Sequence, residues 1–327
     1  MRQLASVKRI TSINSIEGAD AIECAIVGGG WPVVIRKGEF SEGDLAIYLE
    51  IDSWVPTALA PFLSRGKEPR EFNGCKGERL RTIKLRGQIS QGLLLKNLDD
   101  KPEGDDLTEW LGVQKWDKPI PAQLQGQMKG NFPSWIRKTD QERVQNLDGK
   151  ICWDDEFEVT IKLDGSSMTI WRHKGETGVC SRNIDLKMDQ DGNSFVDMAR
   201  RVTGNILFPE NIAIQGELIG PNIQGNREGL CSHEFFVFDI WDIEKQEYWV
   251  PEMVRKFCKC YGLDHAPVLH TGVKLRYLNI DSIESCLANA EGASLNHDVR
   301  EGLVFKRVDG KFSFKAISNK FLLGESA

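Results

Sequence analysis

The chain has 327 residues, with 42 Lys and Arg against 48 Asp and Glu, a formal net charge of -6 and 40% hydrophobic residues. That length favours two domains, and the acidic balance excludes a uniformly basic nucleic-acid binder while leaving room for a local basic patch. No apolar run reaches the roughly 18 to 20 residues that span a bilayer, and the N-terminal MRQLASVKRITSIN lacks a signal-peptide core, so an intracellular, cytoplasmic protein with no membrane attachment is expected.

Residues 1–115 read as short strands broken by turns. In AIECAIVGGGWPVVI two apolar runs surround Gly28, Gly29 and Gly30, a hairpin signal; the strand-like residues 31–35 lack the helix that a phosphate-cradling loop needs. EGDLAIYLEIDSWVP and LRTIKLRGQISQGLLL supply further strands, and this density predicts a small barrel of the OB type. From Arg65 to Arg86 eight basic residues stand against three acidic ones, with Arg79 and Arg81 around Leu80 and Lys84 and Arg86 around Leu85. Those four residues are candidates for nucleic-acid phosphate contacts, and a solvated charged face is the competing reading.

Residues 116–134, within a stretch rich in Pro, Gly and Gln, read as a linker. Over 135–327 longer strands alternate with helices such as NSFVDMARRVTGNI and EMVRKFCKCYGL, which predicts an α+β domain. The eight cysteines have no CxxC pairing, as suits free thiols in a reducing compartment. Cys258, Cys260, His265 and His270 are close in sequence, but a C-x-C on a helix points its thiols apart and does not match zinc spacing.

FEVTIKLDGSSMTIW reads as a strand in which Val159, Ile161 and Leu163 share one face while Thr160, Lys162 and Asp164 share the other. Three later segments repeat the arrangement of a charge on an apolar background. Glu217 lies opposite Ile212, Ile214 and Leu218; Glu301 heads a strand ending in Lys306 and Arg307; Lys315 lies opposite Phe312, Phe314 and Ala316. Two lysines, an aspartate and two glutamates are the parts of a phosphoryl-transfer site: an amine nucleophile, carboxylates for a divalent metal and a cation for phosphate.

K-x-D-G at 162–165, SRN at 181–183, GELIGPNIQG at 216–225, EFFVFDI at 234–240, EGLVFK at 301–306 and SFKAISNKF at 313–321 resemble, in order, the motif series of the covalent nucleotidyltransferases, which include ATP-dependent polynucleotide ligases and mRNA capping enzymes. GELIGPNIQG and EFFVFDI look most like the nick-sealing RNA ligases. RKTDQERVQNL at 137–147 and the N-terminal module resemble the type, called family five, in which an OB-like module precedes the nucleotidyltransferase domain. The sequence ends soon after the last motif, where DNA ligases and capping enzymes carry a further OB domain.

The resemblance implies an α+β protein, an OB-like β-barrel followed by a nucleotidyltransferase domain of antiparallel sheets with flanking helices. It implies an ATP-dependent RNA ligase that joins 3′-hydroxyl and 5′-phosphate ends, seals nicks in RNA repair and acts as a monomer. Lys162 would attack ATP and carry AMP. Asp164, Glu217 and Glu301 would hold Mg²⁺ or Mn²⁺, mainly through water, and Lys315 would contact phosphate. Ile161 and Val304 would line the nucleotide site, Phe235 would stack on adenine, and Arg182 and Arg143 would bind phosphate or the RNA end. Ile317 stands where many nick-sealing ligases have a second lysine, and Lys320 is the candidate replacement. The alternatives are sealing of DNA or mixed RNA/DNA nicks and a non-catalytic nucleic-acid-binding protein with a degenerate pocket.

Overall fold

In the computed structural model, which describes residues 2–118, 126–205 and 208–324, the period-2 alternation of the sequence becomes antiparallel sheet. The chain divides into two units, residues 1–119 and 120–327. Among the described residues no helix is long and apolar enough to cross a membrane.

The first unit holds a five-stranded antiparallel sheet in the order Leu93–Lys96, Leu45–Leu49, Ala5–Ser15, Ile22–Val27 and Trp31–Arg36. Val27 faces Trp31 across the expected glycine hairpin. A second sheet runs Gln114–Lys115, Ser53–Pro56, Cys75–Arg79 and Arg70–Phe72. Leu4, Val7, Ile47, Leu49, Val55, Leu80 and Val113 form the core. Ile83–Leu85 pairs only with Gln88–Ser90, as a separate two-stranded hairpin.

Part of the expected linker 116–134 belongs to the second unit. Met128–Asn131 pairs with Ile184–Leu186, and Phe132 and Trp135 pack against Ile136, Trp171 and Trp241. Burying those aromatic rings outweighs the local Pro and Gly signal. Residues 119–125 of that stretch lie outside the described residues.

Two sheets build the rest of the second unit. One runs Met128–Asn131, Ile184–Leu186, Glu176–Ser181, Ser166–His173, Ile212–Ile219, Glu234–Asp242 and Glu247–Tyr248, with Asp264–His265 joined in parallel to Glu234–Asp242. The other runs Glu142–Arg143, Ser313–Ile317, Gly302–Arg307, Glu156–Lys162 and Val268–Lys274. Met168, Ile170, Ile212, Ile214 and Leu218 bury the outer face of the first against helices Ser194–Asn205 and Pro251–Tyr261. In the second sheet Phe157, Val159, Ile161, Leu303, Phe305, Phe314 and Ala316 form a separate core, joined by Ile219 and Phe236 of the first. Each strand thereby spends one face on hydrophobic packing and leaves the other to a cleft between the sheets.

Candidate active site

The cleft face of the second sheet follows from register. Thr160 pairs with Val304, and Lys162 with Gly302; Val304 pairs with Lys315, and Lys315 pairs with Arg143 in parallel. The first sheet contributes Glu217, which pairs with Ser167 on one side and with Phe236 on the other. A cavity in this cleft is lined by Thr160, Ile161, Lys162, Ser167, Arg182, Glu217, Phe238, Val304, Lys306 and Lys315 among others.

Two glycines set the depth of the site. A Cβ on Gly165 would lie 2.5 Å from both the Leu218 carbonyl oxygen and Ile219 Cγ2, so the bend after Lys162 and Asp164 can seat against the Glu217 strand only as glycine. Gly302 has φ +157, and a Cβ there would collide with the Ala316 carbonyl. That glycine lets the chain pass from Glu301 into the strand facing Lys162.

Lys162 is one quarter exposed, and its Nζ donates to Glu301 Oε2 at 2.7 Å. Burial pulls the lysine pKa down, but the charges of Glu301, Glu217 and Asp164 and the bond to Glu301 outweigh it and leave it raised. Burial pushes the Glu217 carboxyl up to about 8, with Lys162 opposing and Glu301 and Asp164 adding to the shift. Asp164 rises to about 6, through burial first and then Glu301. Three carboxylates around one ammonium leave excess negative charge in a poorly solvated site. That fits a hydrated cation. Among the described residues no three carboxylate, imidazole or thiol groups converge to hold a metal directly.

The expected aromatic partner is corrected. Phe235 is 4% exposed in the core beneath the first sheet, where its ring fills the space that a Cβ on Gly216 would take. Phe238 lines the cavity instead. Gln215 pairs with Asp239 but the adjacent Gly216 pairs with Val237, so Phe238 is an unpaired bulge residue, and bulges re-aim side chains.

Arg182 and Lys315 line the cavity, and both reach Asp140 Oδ1, at 3.8 Å and 3.5 Å. Arg143 lies beside Lys315, is buried and is not part of the cavity lining. Lys306, at the end of the EGLVFK segment, is buried and donates to Asp239 Oδ1 at 2.6 Å and to the Phe238 carbonyl. It fixes the backbone beneath the only cavity-lining aromatic ring among the described residues.

The four basic candidates of the first unit separate. Arg79 donates to Asp52 Oδ1 at 2.5 Å and lies over the Trp116 ring at 3.9 Å, so it braces its own unit. Arg81, Lys84 and Arg86 are exposed on and beside the hairpin of residues 83–90.

A profile of the RNA ligase family matches residues 155–317, and one of an OB-fold domain matches residues 4–97. No curated protein sequence matches the chain. Among solved structures it is similar to a Naegleria gruberi RNA ligase in the apo form of a lysine-to-alanine mutant, with 44% identity over 98% of both chains and a TM-score of 0.87. It is similar to another lysine-to-alanine mutant of Naegleria gruberi RNA ligase with ATP and Mn, with 44% identity over 98% of both chains and a TM-score of 0.86. For the Naegleria gruberi enzyme with PPi the identity is 45%, again over 98% of both chains, and the TM-score is 0.85.

Proposed function

The chain belongs to the RNA ligase family and is an ATP-dependent RNA ligase, and we propose that it works through an adenylylated Lys162 to seal nicked RNA duplexes. The observation that carries this reading is a single one: Lys162 Nζ sits on the floor of a cleft, 2.7 Å from Glu301, with Glu217 beside it and Arg182 and Lys315 on the wall.

The neutral Lys162 amine attacks the α-phosphorus of ATP, an N–P bond forms as the bond to the β-phosphate oxygen breaks, and pyrophosphate leaves. The AMP held on Lys162 then passes to the 5′-phosphate of a strand, which frees the lysine. Attack of the neighbouring 3′-hydroxyl on that phosphate joins the strands and releases AMP. Phe238 stacks on adenine, and Lys306 and Asp239 hold its backbone in place. Arg182 and Lys315 neutralise the phosphates, with Arg143 supporting Lys315 from the adjacent strand. Asp164, Glu217 and Glu301 would hold a divalent Mg²⁺ or Mn²⁺ through its water shell, and its charge, when bound, would offset the carboxylates that keep Lys162 protonated.

Arg81, Lys84 and Arg86 bind the RNA backbone. The protein acts as a monomer in an intracellular, reducing setting, consistent with eight free cysteines. The test is labelling with α-³²P-ATP after pyrophosphate treatment to strip bound AMP. Label that survives denaturation and is absent from Lys162→Ala supports the lysyl-AMP route. No label with either metal defeats it. Sealing of nicked RNA, DNA and mixed duplexes by the same preparation then ranks the strands.

A further inference from the structure

Residues 137–141 form a strap between two cavities. Thr139, Asp140 and Gln141 line the nucleotide cavity, of about 120 Å³. The same three line a neighbouring cavity of about 280 Å³, together with Arg137, Lys138 and Tyr248. The strap has no regular secondary structure and is tied down by side chains. Gln215 Nε2 donates to the Arg137 carbonyl at 2.8 Å, and the Tyr248 hydroxyl donates to the same oxygen at 3.0 Å. Thr139 Oγ1 donates to Gln215 Oε1 at 2.6 Å, and Lys138 Nζ donates to Asn183 Oδ1 at 3.0 Å.

Asp140, in the middle of this anchored segment, differs from its neighbours. A single carboxylate oxygen lies 3.5 Å from Lys315 Nζ and 3.8 Å from Arg182 Nη2. Elsewhere in the cleft Lys162 lies 2.7 Å from Glu301 and Lys306 2.6 Å from Asp239. At 3.5 to 3.8 Å the attraction is Coulombic with little hydrogen-bond character, and Asp140 remains 35% exposed. It is a partly exposed counter-ion shared by two cations.

We infer that Asp140 stands in for polyphosphate. With the cleft empty, its carboxylate partly neutralises Lys315 and Arg182. The triphosphate of ATP, or pyrophosphate, displaces it, and the carboxylate turns toward the second cavity, whose wall includes Arg137 and Lys138. This inference rests on the assignment of the cleft to ATP. A phosphate chain brings several oxygens and a higher charge than one carboxylate, so exchange runs toward the bound nucleotide. Each binding event nevertheless gives up two existing contacts, which lowers the affinity for polyphosphate while leaving that for the nucleoside alone untouched. When pyrophosphate is the occupant, return of Asp140 to the same cations promotes its departure.

The experiment measures equilibrium binding of ATP, pyrophosphate and adenosine to Lys162→Met, which blocks the covalent step, and to the same variant carrying Asp140→Asn or Asp140→Glu. Asp140→Asn is expected to bind ATP and pyrophosphate about three- to tenfold more tightly, the range for losing two partly exposed ion pairs, with adenosine unchanged. Asp140→Glu should stay near the parent. Unchanged or weaker ATP binding with normal adenosine binding overturns the competition. Parallel weakening of ATP and adenosine also overturns it, by showing that Asp140 only shapes the pocket. If the Lys162→Met parent binds neither ATP nor pyrophosphate, the ATP assignment itself fails, an outcome separate from both.

Discussion

Lys162 Nζ and Glu301 Oε2 lie 2.7 Å apart because Lys162 pairs with Gly302 across two antiparallel strands, which puts residue 301 beside the lysine. The pair holds the lysine protonated in the metal-free protein, since the surrounding carboxylates outweigh the downward pull of burial. A nucleophile kept in its charged form must release a proton before it attacks.

Single-turnover adenylylation should therefore accelerate with pH by about tenfold per unit across the neutral range, following the neutral fraction of a lysine whose pKa lies above that range. Raising the divalent metal concentration should move the profile toward lower pH, because the carboxylates that raise the pKa are then offset. A rapid-quench pH series at two Mn²⁺ concentrations checks this. A flat profile, or one that ignores the metal, argues against the carboxylate cage as the control on Lys162.

Glu217 carries a stability cost. Its carboxyl is raised to about 8, mainly by burial, against an ordinary value near 4.3 in the unfolded chain. Between those values the folded state binds more protons than the unfolded one, so stability declines as pH rises through the window. Glu217→Gln removes the penalty. In metal-free buffer at pH 8 its C-terminal unit should melt higher by a few degrees, corresponding to about 1 kcal/mol because the group keeps some solvent contact. The gain should vanish near pH 4.5, and adenylylation should be lost. A lower melting temperature at pH 8 would mean that the carboxylate is a net structural tie.

Phe238 and Phe235 should separate cleanly. Phe238→Ala removes the ring that lines the cavity and should raise the KM for ATP about tenfold, the scale of one aromatic stacking contact, with little loss of stability. Phe235→Ala empties a site that is 4% exposed and should cost about 3 to 5 kcal/mol of stability. Steady-state kinetics and urea unfolding of both variants decide it. The reverse pattern would return the adenine contact to Phe235.

This exchange of roles marks the limit of what the sequence discloses. Lys162, Glu217 and Lys315 are legible because each is a charge on the polar side of an otherwise apolar alternation, and alternation survives into the strands. Phe238 is not, because the bulge that leaves it unpaired sits between Gln215 and Gly216, a backbone irregularity with no distinctive residue signature. Lys306 reads as a charged strand end, yet it is buried by pairing with Asp239, 67 residues away. Arg79 carries the same charge as Arg81, and only the fold brings Asp52 and Trp116 to it. Partner choice across long sequence separation is what local pattern cannot encode.

That last distinction gives the clearest test of the first unit. Lys76 pairs with Glu68, Arg70 with Glu78 and Arg79 with Asp52, so much of the charge between residues 65 and 86 is spent on neighbours. Arg81, Lys84 and Arg86 cluster at a two-stranded hairpin where Ile83 and Leu85 are each 38% exposed. Replacing all three with Ala should weaken binding to a nicked RNA duplex and flatten the dependence of log affinity on log salt by about 2 to 3, close to one unit for each phosphate contact removed. Lysine adenylylation, which needs no RNA, should be unaffected. Arg79→Ala should leave the salt slope unchanged and lower the stability of the N-terminal unit by about 1 to 2 kcal/mol, through loss of its carboxylate and indole contacts. Binding measured from 50 to 200 mM salt distinguishes the two. A triple variant with the parental slope would remove the hairpin from the RNA interface, whereas a changed slope in Arg79→Ala alone would mean that its pairing with Asp52 opens when RNA binds.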